Sequence, residues 1–482
     1  MMLASPFLRR MLPRNRFVRN VSVLVGGTAG AQAAAVLAAP LLTRLYTPQD
    51  FGLLAVFAAL LSLISVIAGL RYETAIPLPE DGAEAAALAA LGLLCVALVS
   101  ALSAIPIFLY GTEIAAWLNT PRLADYFYLV PLGALLAGCY SVLNFCAIRS
   151  REFGPLAKTK LGQSAIAVLI QLAGAPFGAL ALLLGQMAGQ GAGAVSLAAR
   201  VLRPRRSRLR AIGWRSLAQA ARRYRQFPLF ATWGALFNTA GSQLPAVLFA
   251  ALFGPAAAGL YILANRVLAM PMQLLGQAIG NVFVSDAAVA RREGRLARLT
   301  ADIHYRLAQI GMPPMVVLLA AGPQLFALVF GEQWRAAGVY AQWLAPWLYL
   351  VFVTSPLSSL FAVLERQAAG MLFQGLLLSV RVAAIAFGAW AGDVMTAVAW
   401  FATGSALCWF ACLAWLVRAS GNAWRVVWQP TVGALAWAAA LASPLIAGAA
   451  WPMGRAQWVL FAAATVLLIA ARYAFLMRRA WR

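Results

Sequence analysis

A helical hairpin that recurs in the chain is first seen at residues 40–57, PLLTRLYTPQDFGLLAVF. An apolar segment ends in a short turn that contains Pro48, and Gly52 lets the next apolar segment begin close by. The stretch PAVLFAALFGPAAAGLYILA, residues 245–264, repeats this pattern at an offset of 207 residues. Three positions coincide: Pro48, Gly52 and Leu53 are matched by Pro255, Gly259 and Leu260. The pattern predicts two parallel structural repeats, each opening with the same helical hairpin.

The composition around these stretches excludes an ordinary soluble protein. The chain has 482 residues, of which 63% are hydrophobic and 11% charged, and its mean hydropathy is +0.80. A net charge of +24 would suggest nucleic-acid binding in a soluble protein. Here the excess of basic residues is better explained as charge that fixes the orientation of a multi-pass membrane protein, so no nucleic-acid partner is expected.

Fourteen membrane-spanning helices are predicted in an all-α polytopic fold, because apolar runs long enough to cross a bilayer recur from end to end. They lie at 18–41, 50–70, 84–109, 124–148, 156–176, 178–199, 227–252, 256–284, 304–330, 339–364, 367–391, 393–417, 430–450 and 456–477.

The basic residues predict the orientation of these spans, because cytoplasmic loops are enriched in Lys and Arg. With the N-terminus inside, 32 of the 38 basic residues fall in internal segments, four in external loops and two, Arg266 and Arg381, within spans. Both termini are therefore expected in the cytoplasm. The longest internal segment, RVLRPRRSRLRAIGWRSLAQAARRYRQ at 200–226, predicts a basic helix at the inner headgroups. It serves as a topology anchor and linker or, alternatively, gathers anionic lipid headgroups.

Four regions follow from the repeat and the basic segment. We predict an N-terminal six-helix bundle at 1–199, a basic cytoplasmic linker at 200–226, a C-terminal six-helix bundle at 227–417 and an additional two-helix hairpin at 430–482. The two bundles would be related by an axis along the membrane normal.

Four segments resemble one known family: LTRLYTPQDFGLLAVF at 42–57, RYETAIPLP at 71–79, RSREFGPLAK at 149–158 and FGPAAAGLYILANRVLAMPMQLLGQAIGNVF at 253–283. They are similar to the Wzx-type polysaccharide-biosynthesis flippases of the multidrug/oligosaccharidyl-lipid/polysaccharide exporter superfamily, over at least residues 15–420. The resemblance implies two pseudo-symmetric bundles around a central cavity. It also implies movement of an undecaprenyl-diphosphate-linked oligosaccharide from the inner to the outer leaflet, for O-antigen, capsule or exopolysaccharide assembly.

Polar side chains within spans are the candidate substrate-binding residues, because a charge in the bilayer core is costly and usually faces a cavity or a partner. Arg266 lies about 15 Å along its span, near the membrane midplane. A guanidinium suits a diphosphate, although the same side chains could serve only to join helices. The predicted cavity set comprises Arg266, Arg381, Gln273, Gln277, Asn281, Asn238 and Gln32.

Arg71 and Glu73 close the second predicted span on the internal side. The sequence allows a helix-end ion pair, a gate salt bridge, or coupling of Glu73 to a proton or sodium gradient. The glycines Gly185, Gly189 and Gly193 recur every four residues, a spacing that predicts close helix packing.

Several other functions are disfavoured by the sequence. One His, no nucleotide-binding motif and no Ser/His/Asp constellation argue against a hydrolase or a primary pump, so we expect no enzyme activity, no metal and no cofactor. A lipid II-type flippase and a cation-coupled multidrug exporter of the same superfamily stay open as alternatives. The expected partners are the lipid-linked oligosaccharide, membrane lipids, and the glycan polymerase and chain-length proteins, at the cell inner membrane.

Overall fold

The computed structural model describes residues 16–201, 212–450 and 454–480, which are helical with short connections and contain no strand. A division between Gly259 and Leu260 separates two compact units.

The first unit contains helices α1 to α9 and the beginning of α10. Their bounds are α1 Arg16–Leu45, α2 Pro48–Ala68, α3 Tyr72–Ala75, α4 Gly82–Trp117, α5 Leu129–Arg149, α6 Phe153–Ala173, α7 Ala179–Val201, α8 Trp214–Arg223, α9 Thr232–Phe253 and α10 Pro255–Arg292. Helix α6 packs between α1 and α7, and α2 packs against α5 and α9.

The second unit contains the rest of α10 and seven further helices. Their bounds are α11 Leu296–Phe330, α12 Arg335–Thr354, α13 Leu360–Val363, α14 Gln367–Trp390, α15 Val394–Ala419, α16 Arg425–Ala450 and α17 Arg455–Ala480. Helix α11 packs against α12 and α16, α15 lies between α12 and α14, and α17 packs on α16.

The predicted all-α membrane fold is confirmed. A helix of at least 20 residues stands at each of the fourteen predicted span positions among the described residues. Eleven helices in the described part of the chain are long and apolar enough to cross a membrane. The exact number of crossings stays a prediction.

The helix ends differ from the predicted spans where the chain continues past an apolar run. Helix α4 extends to Trp117, with a non-helical residue at Tyr110, where the sequence predicted a loop. Helix α11 already begins at Leu296. Hydropathy marks the part of a helix that suits lipid, whereas the backbone hydrogen bonds can continue beyond it.

Local capping explains where several helices begin. Thr47 and Asp50 form a capping box at the start of α2, with Pro48 in the first turn. The Asp81 carboxylate caps α4 by accepting the backbone N–H groups of Ala83 and Glu84. These hydrogen bonds lower the pKa of Asp81, because they stabilise the charged form.

Close packing of α6 on α7 confirms the prediction from the glycine spacing. A Cβ at Gly189 would lie 2.8 Å from the Gln163 carbonyl oxygen, and one at Gly185 would lie 2.8 Å from the Ala167 carbonyl oxygen. At Gly193 the Cβ would overlap the Gln163 side chain. Only glycine allows the two backbones to approach this closely.

The predicted region boundaries at 199, 226, 417 and 430 stay predictions. The division between the two compact units lies at residue 259, and residues 202–211 of the predicted linker lie outside the described residues. Helix α8 lies within the described part of that linker.

Candidate functional site

Arg381 is held by aromatic side chains of two neighbouring helices in the second unit. Its guanidinium carbon lies 5.1 Å from the ring centre of Trp347 on α12 and 5.7 Å from that of Phe401 on α15. Its Nε donates a hydrogen bond of 3.3 Å to the Ser405 hydroxyl. Aromatic faces attract a cation electrostatically, so the two rings stabilise the charged guanidinium within the second unit.

Arg266 is half-buried on α10, also in the second unit. The predicted polar stripe continues along this helix to Gln273, Gln277 and Asn281, whose side chains lie outside the described residues. The backbone of α10 is continuously helical through these positions, which keeps them in the register that the sequence predicted. Their role in a cavity stays a prediction.

The two remaining cavity candidates, Asn238 and Gln32, lie on helices of the first unit. Asn238 is exposed on α9, and Gln32 is half-buried on α1. The Gln32 side-chain oxygen is buried and accepts no hydrogen bond. Buried polar atoms normally have a hydrogen-bond partner, so the Gln32 oxygen is a candidate acceptor for a ligand.

Arg71 and Glu73 form an ion pair on a strained turn between α2 and α4. The Arg71 Nη1 lies 3.7 Å from the Glu73 Oε1, and the Glu73 side chain is only 4% exposed. Leu70 and Arg71 have φ angles of 47° and 60°, in the left-handed region that non-glycine residues rarely adopt. Burial raises the pKa of the Glu73 carboxyl, although Arg71 opposes the shift. The ion pair is thus present, whereas a gate or coupling role stays a prediction.

The glycine before this turn leaves room for the acid. A Cβ at Gly69 would lie 2.4 Å from the Glu73 Oε2, an atom that is buried without a hydrogen-bond partner. The carboxylate therefore occupies the space that any other side chain at position 69 would need.

Arg149 fastens the loop that follows this turn, which the charge tally could not reveal. Its guanidinium donates to the carbonyl oxygens of Ile76, Pro79, Glu80 and Asp81. A planar guanidinium can satisfy several carbonyls at once. The loop is therefore held at the end of α5.

Helix α8 docks on the same region of the first unit. Arg223 forms an ion pair of 2.8 Å with Glu84 on α4, and the Tyr72 hydroxyl donates to the Ala221 carbonyl oxygen at 3.4 Å. Trp214, at the start of α8, is 76% exposed. The linker helix predicted from sequence is thus fixed to the first unit at one end and presents an aromatic side chain at the other.

Sequence reasoning missed two basic residues that lie inside helices. Lys160 on α6 donates to the Thr28 hydroxyl on α1 at 3.1 Å. Arg472 on α17 donates to the Gln309 side chain at 3.0 Å and lies 4.7 Å from the Trp437 ring centre. The assignment of basic residues to internal segments placed Lys160 in a loop and Arg472 in the C-terminal tail. Their positions within the predicted spans 156–176 and 456–477 were the available signal.

No group of three metal-ligating side chains is arranged to hold a metal ion among the described residues. Several polar groups inside the helices, among them Arg381, Lys160 and Gln32, are cations or amides, which suit an anionic or hydroxyl-rich ligand.

These features define the class of protein: a multi-pass, all-helical membrane protein with basic side chains inside its helices. The chain belongs to the polysaccharide biosynthesis protein family, whose model matches residues 41–338. Its fold is also that of a solved lipid II flippase and of solved multidrug transporters of the multidrug/oligosaccharidyl-lipid/polysaccharide exporter superfamily. No curated protein matches the chain.

Solved membrane transporters share the fold at low sequence identity. The lipid II flippase MurJ, in an inward closed conformation, is 10% identical with a TM-score of 0.74, and the match covers 95% of this chain and 99% of that one. An inward-facing multidrug resistance MATE family transporter is 14% identical with a TM-score of 0.57, covering 83% and 94%. The Vibrio cholerae MATE transporter VcmN, as a mutant, is 12% identical with a TM-score of 0.55, covering 83% and 94%.

Proposed function

We propose that this protein is a flippase that moves an undecaprenyl-diphosphate-linked oligosaccharide from the inner to the outer leaflet of the cytoplasmic membrane by alternating access. The glycan would then be assembled into a surface polysaccharide such as O-antigen, capsule or exopolysaccharide. No covalent bond is made or broken in this reaction, so no catalytic residue is assigned.

The observation that carries the proposal is the presence of arginines within membrane-length helices of a chain of the polysaccharide biosynthesis family. Arg266 and Arg381 lie on α10 and α14, far from the helix ends. A cation in such a place costs several kcal/mol, roughly 3 or more, unless it has a partner or a functional role. A guanidinium matches the geometry of a diphosphate, which a lipid-linked oligosaccharide carries.

The orientation and partners belong to the same proposal. The basic segments would lie in the cytoplasm with both chain termini, and the protein would work in the cell inner membrane. Its partners would be membrane lipids, the lipid-linked oligosaccharide, a glycan polymerase and a chain-length protein. If transport is coupled to a proton or sodium gradient, Glu73 is the buried carboxylate that we assign to it.

Two alternative functions fit the fold equally well. The MurJ likeness favours a lipid II-type flippase, and the MATE likenesses favour a cation-coupled multidrug exporter. A lipid II flippase predicts an essential gene, whereas a surface-polysaccharide flippase is usually dispensable. A drug exporter predicts increased drug susceptibility in a deletion strain with normal surface glycan.

Deletion of the gene followed by analysis of lipid-linked intermediates tests the proposal. We expect lipid-linked oligosaccharide to accumulate and surface polysaccharide to disappear, with recovery when the wild-type gene is restored. Purified protein in vesicles should move a fluorescent undecaprenyl-diphosphate-linked oligosaccharide to the opposite leaflet. Normal surface glycan in the deletion strain, together with no movement in vesicles, would contradict the proposal.

A further inference from the structure

The contact between α1 and α6 in the first unit contains two side-chain hydrogen bonds. Lys160 Nζ donates to the Thr28 hydroxyl at 3.1 Å, and Ser164 donates to the Ala31 carbonyl oxygen at 2.8 Å. Helix α6 begins at Phe153, so Lys160 lies about 10 Å along its axis. The ammonium is therefore about two turns inside the helix rather than at its end.

Lys160 and its neighbour Lys158 differ in how far their side chains are exposed. Lys158 is exposed, whereas Lys160 is half-buried and faces α1. Among the described residues, no carboxylate lies within 4.0 Å of the Lys160 amine. An ammonium has three donor hydrogens, and the hydroxyl of Thr28 uses one of them. Positive charge and donor capacity are therefore available at this contact.

Gln32 adds an acceptor one helical turn beyond Thr28 on the same face of α1. Its side-chain oxygen is buried and accepts no hydrogen bond within the protein. Leaving such an atom without a partner is unfavourable, so the position is suited to a ligand that donates a hydrogen bond. Lys160 on α6 supplies a cationic donor beside Thr28, and Gln32, one turn further along α1, supplies a neutral acceptor. A phosphate followed by a hydroxyl requires these two kinds of group.

We propose that Lys160, Thr28 and Gln32 form a subsite for the phosphate–sugar junction of a lipid-linked glycan. The Lys160 ammonium binds a non-bridging phosphate oxygen, and the Gln32 side-chain oxygen accepts a hydrogen bond from a hydroxyl of the first sugar. Thr28 positions the ammonium. This inference rests on the proposed function.

Binding of defined lipids to the purified full-length protein in detergent tests the subsite. The probes are undecaprenol, undecaprenyl diphosphate, and undecaprenyl diphosphate that carries one hexose. The variants are Lys160→Met, which keeps the length of the side chain without its charge, Lys160→Arg, and Gln32→Leu. Lys158→Met is the matched control, because it removes an exposed charge from the same helix.

The expected pattern separates the two roles. Lys160→Met should weaken the binding of both diphosphate lipids about 10-fold to 100-fold, as expected for the loss of a charged hydrogen bond. Lys160→Arg should restore most of the affinity. Gln32→Leu should weaken the binding of the hexose-bearing lipid alone, by about threefold to tenfold. Undecaprenol binding and the Lys158→Met variant should match the wild type.

Other outcomes overturn the inference in distinguishable ways. Wild-type affinity for both diphosphate lipids in Lys160→Met would remove the subsite and leave the proposed function intact. An equal loss of undecaprenol and diphosphate binding, with a lower melting temperature, would show that Lys160 only joins α1 to α6. If the wild-type protein binds the diphosphate lipids no better than undecaprenol, the proposed substrate class itself fails.

Discussion

Gly52 lies so close to Pro255 that a Cβ on Gly52 would stand 1.7 Å from the Pro255 carbonyl oxygen. The relationship is reciprocal, because a Cβ on Gly259 would stand 1.9 Å from the Pro48 carbonyl oxygen. These are the positions that match in the internal repeat. The first turns of α2 and α10 therefore cross through a pair of equivalent glycines, and no other residue permits the contact.

We expect Gly52→Ala and Gly259→Ala to force this crossing apart and to reduce surface polysaccharide about tenfold or more, since overpacking typically costs about 1–3 kcal/mol. The measurement is surface glycan at equal levels of membrane-inserted protein. Gly234→Ala on α9 is the control, because a Cβ there meets no atom within 4 Å. Normal surface glycan and an unchanged melting temperature in both variants would show that the protein does not need the close approach of α2 and α10 at these glycines.

Replacing Arg266 or Arg381 by Ala should lower transport about 10-fold to 100-fold if each guanidinium binds the diphosphate, because a charged hydrogen bond contributes about 1.5–3 kcal/mol. Transport is measured as movement of the lipid-linked oligosaccharide in vesicles. Arg418→Ala removes an exposed charge at the end of α15 and should have little effect.

The environment of Arg381 calls for a second measurement on that variant. The Trp347 and Phe401 rings pack against the guanidinium, so truncation also removes packing. Arg381→Lys should restore folding better than transport, because an ammonium lacks the planar fork. Full transport in the Arg266 and Arg381 alanine variants would exclude both from substrate binding.

The melting temperature of the protein should fall as pH rises above the ordinary pKa of Glu73, 4.5. Burial raises the pKa of this carboxyl in the folded state, so the folded protein binds the proton more tightly than the unfolded chain. The stability from this group is fully present at low pH and is lost as pH rises through the raised value.

Glu73→Gln should flatten this pH dependence and raise the melting temperature near neutral pH. Glu80→Gln, at an exposed position in the following loop, is the control. Identical pH profiles for Glu73→Gln and the wild type would show that Glu73 does not govern stability in this range. If Glu73 couples transport to an ion gradient, the same variant should abolish the dependence of transport on that gradient.

Arg149→Ala should destabilise the protein by about 2 kcal/mol or more, because four carbonyl oxygens of residues 76–81 lose their donor. Arg149→Lys should recover only part of the loss, since an ammonium cannot reach all four. Thermal unfolding in detergent measures both. Equal melting temperatures for Arg149→Ala and the charge control Lys158→Ala would contradict a structural role for the contact.

Some of the candidate site could be predicted because its signal is local in sequence. Arg266 and Arg381 stand out as charges in apolar runs, and Arg71 and Glu73 are two residues apart, so their ion pair needs no knowledge of the fold. The close packing at Gly185, Gly189 and Gly193 follows likewise from helical periodicity.

Other contacts could not be predicted, because they join residues far apart in the chain. Lys160 meets Thr28 across 132 positions, and Arg149 meets Ile76 across 73. In the sequence each appears as one more basic residue near the end of an apolar run. Only the packing of α6 on α1, and of α5 beside the turn, shows which charge is exposed and which is bonded.

The sequence by itself determined the membrane-spanning helical architecture, because the length and hydropathy of each segment must match the bilayer whatever its neighbours are. It also determined the repeat that pairs Gly52 with Gly259. The tertiary structure alone decided that these glycines meet, that Glu73 is buried, and that Lys160 bonds to Thr28. Such relationships depend on which helices pack together, and the apolar surfaces that drive that packing are too alike for the pairing to be read from hydropathy.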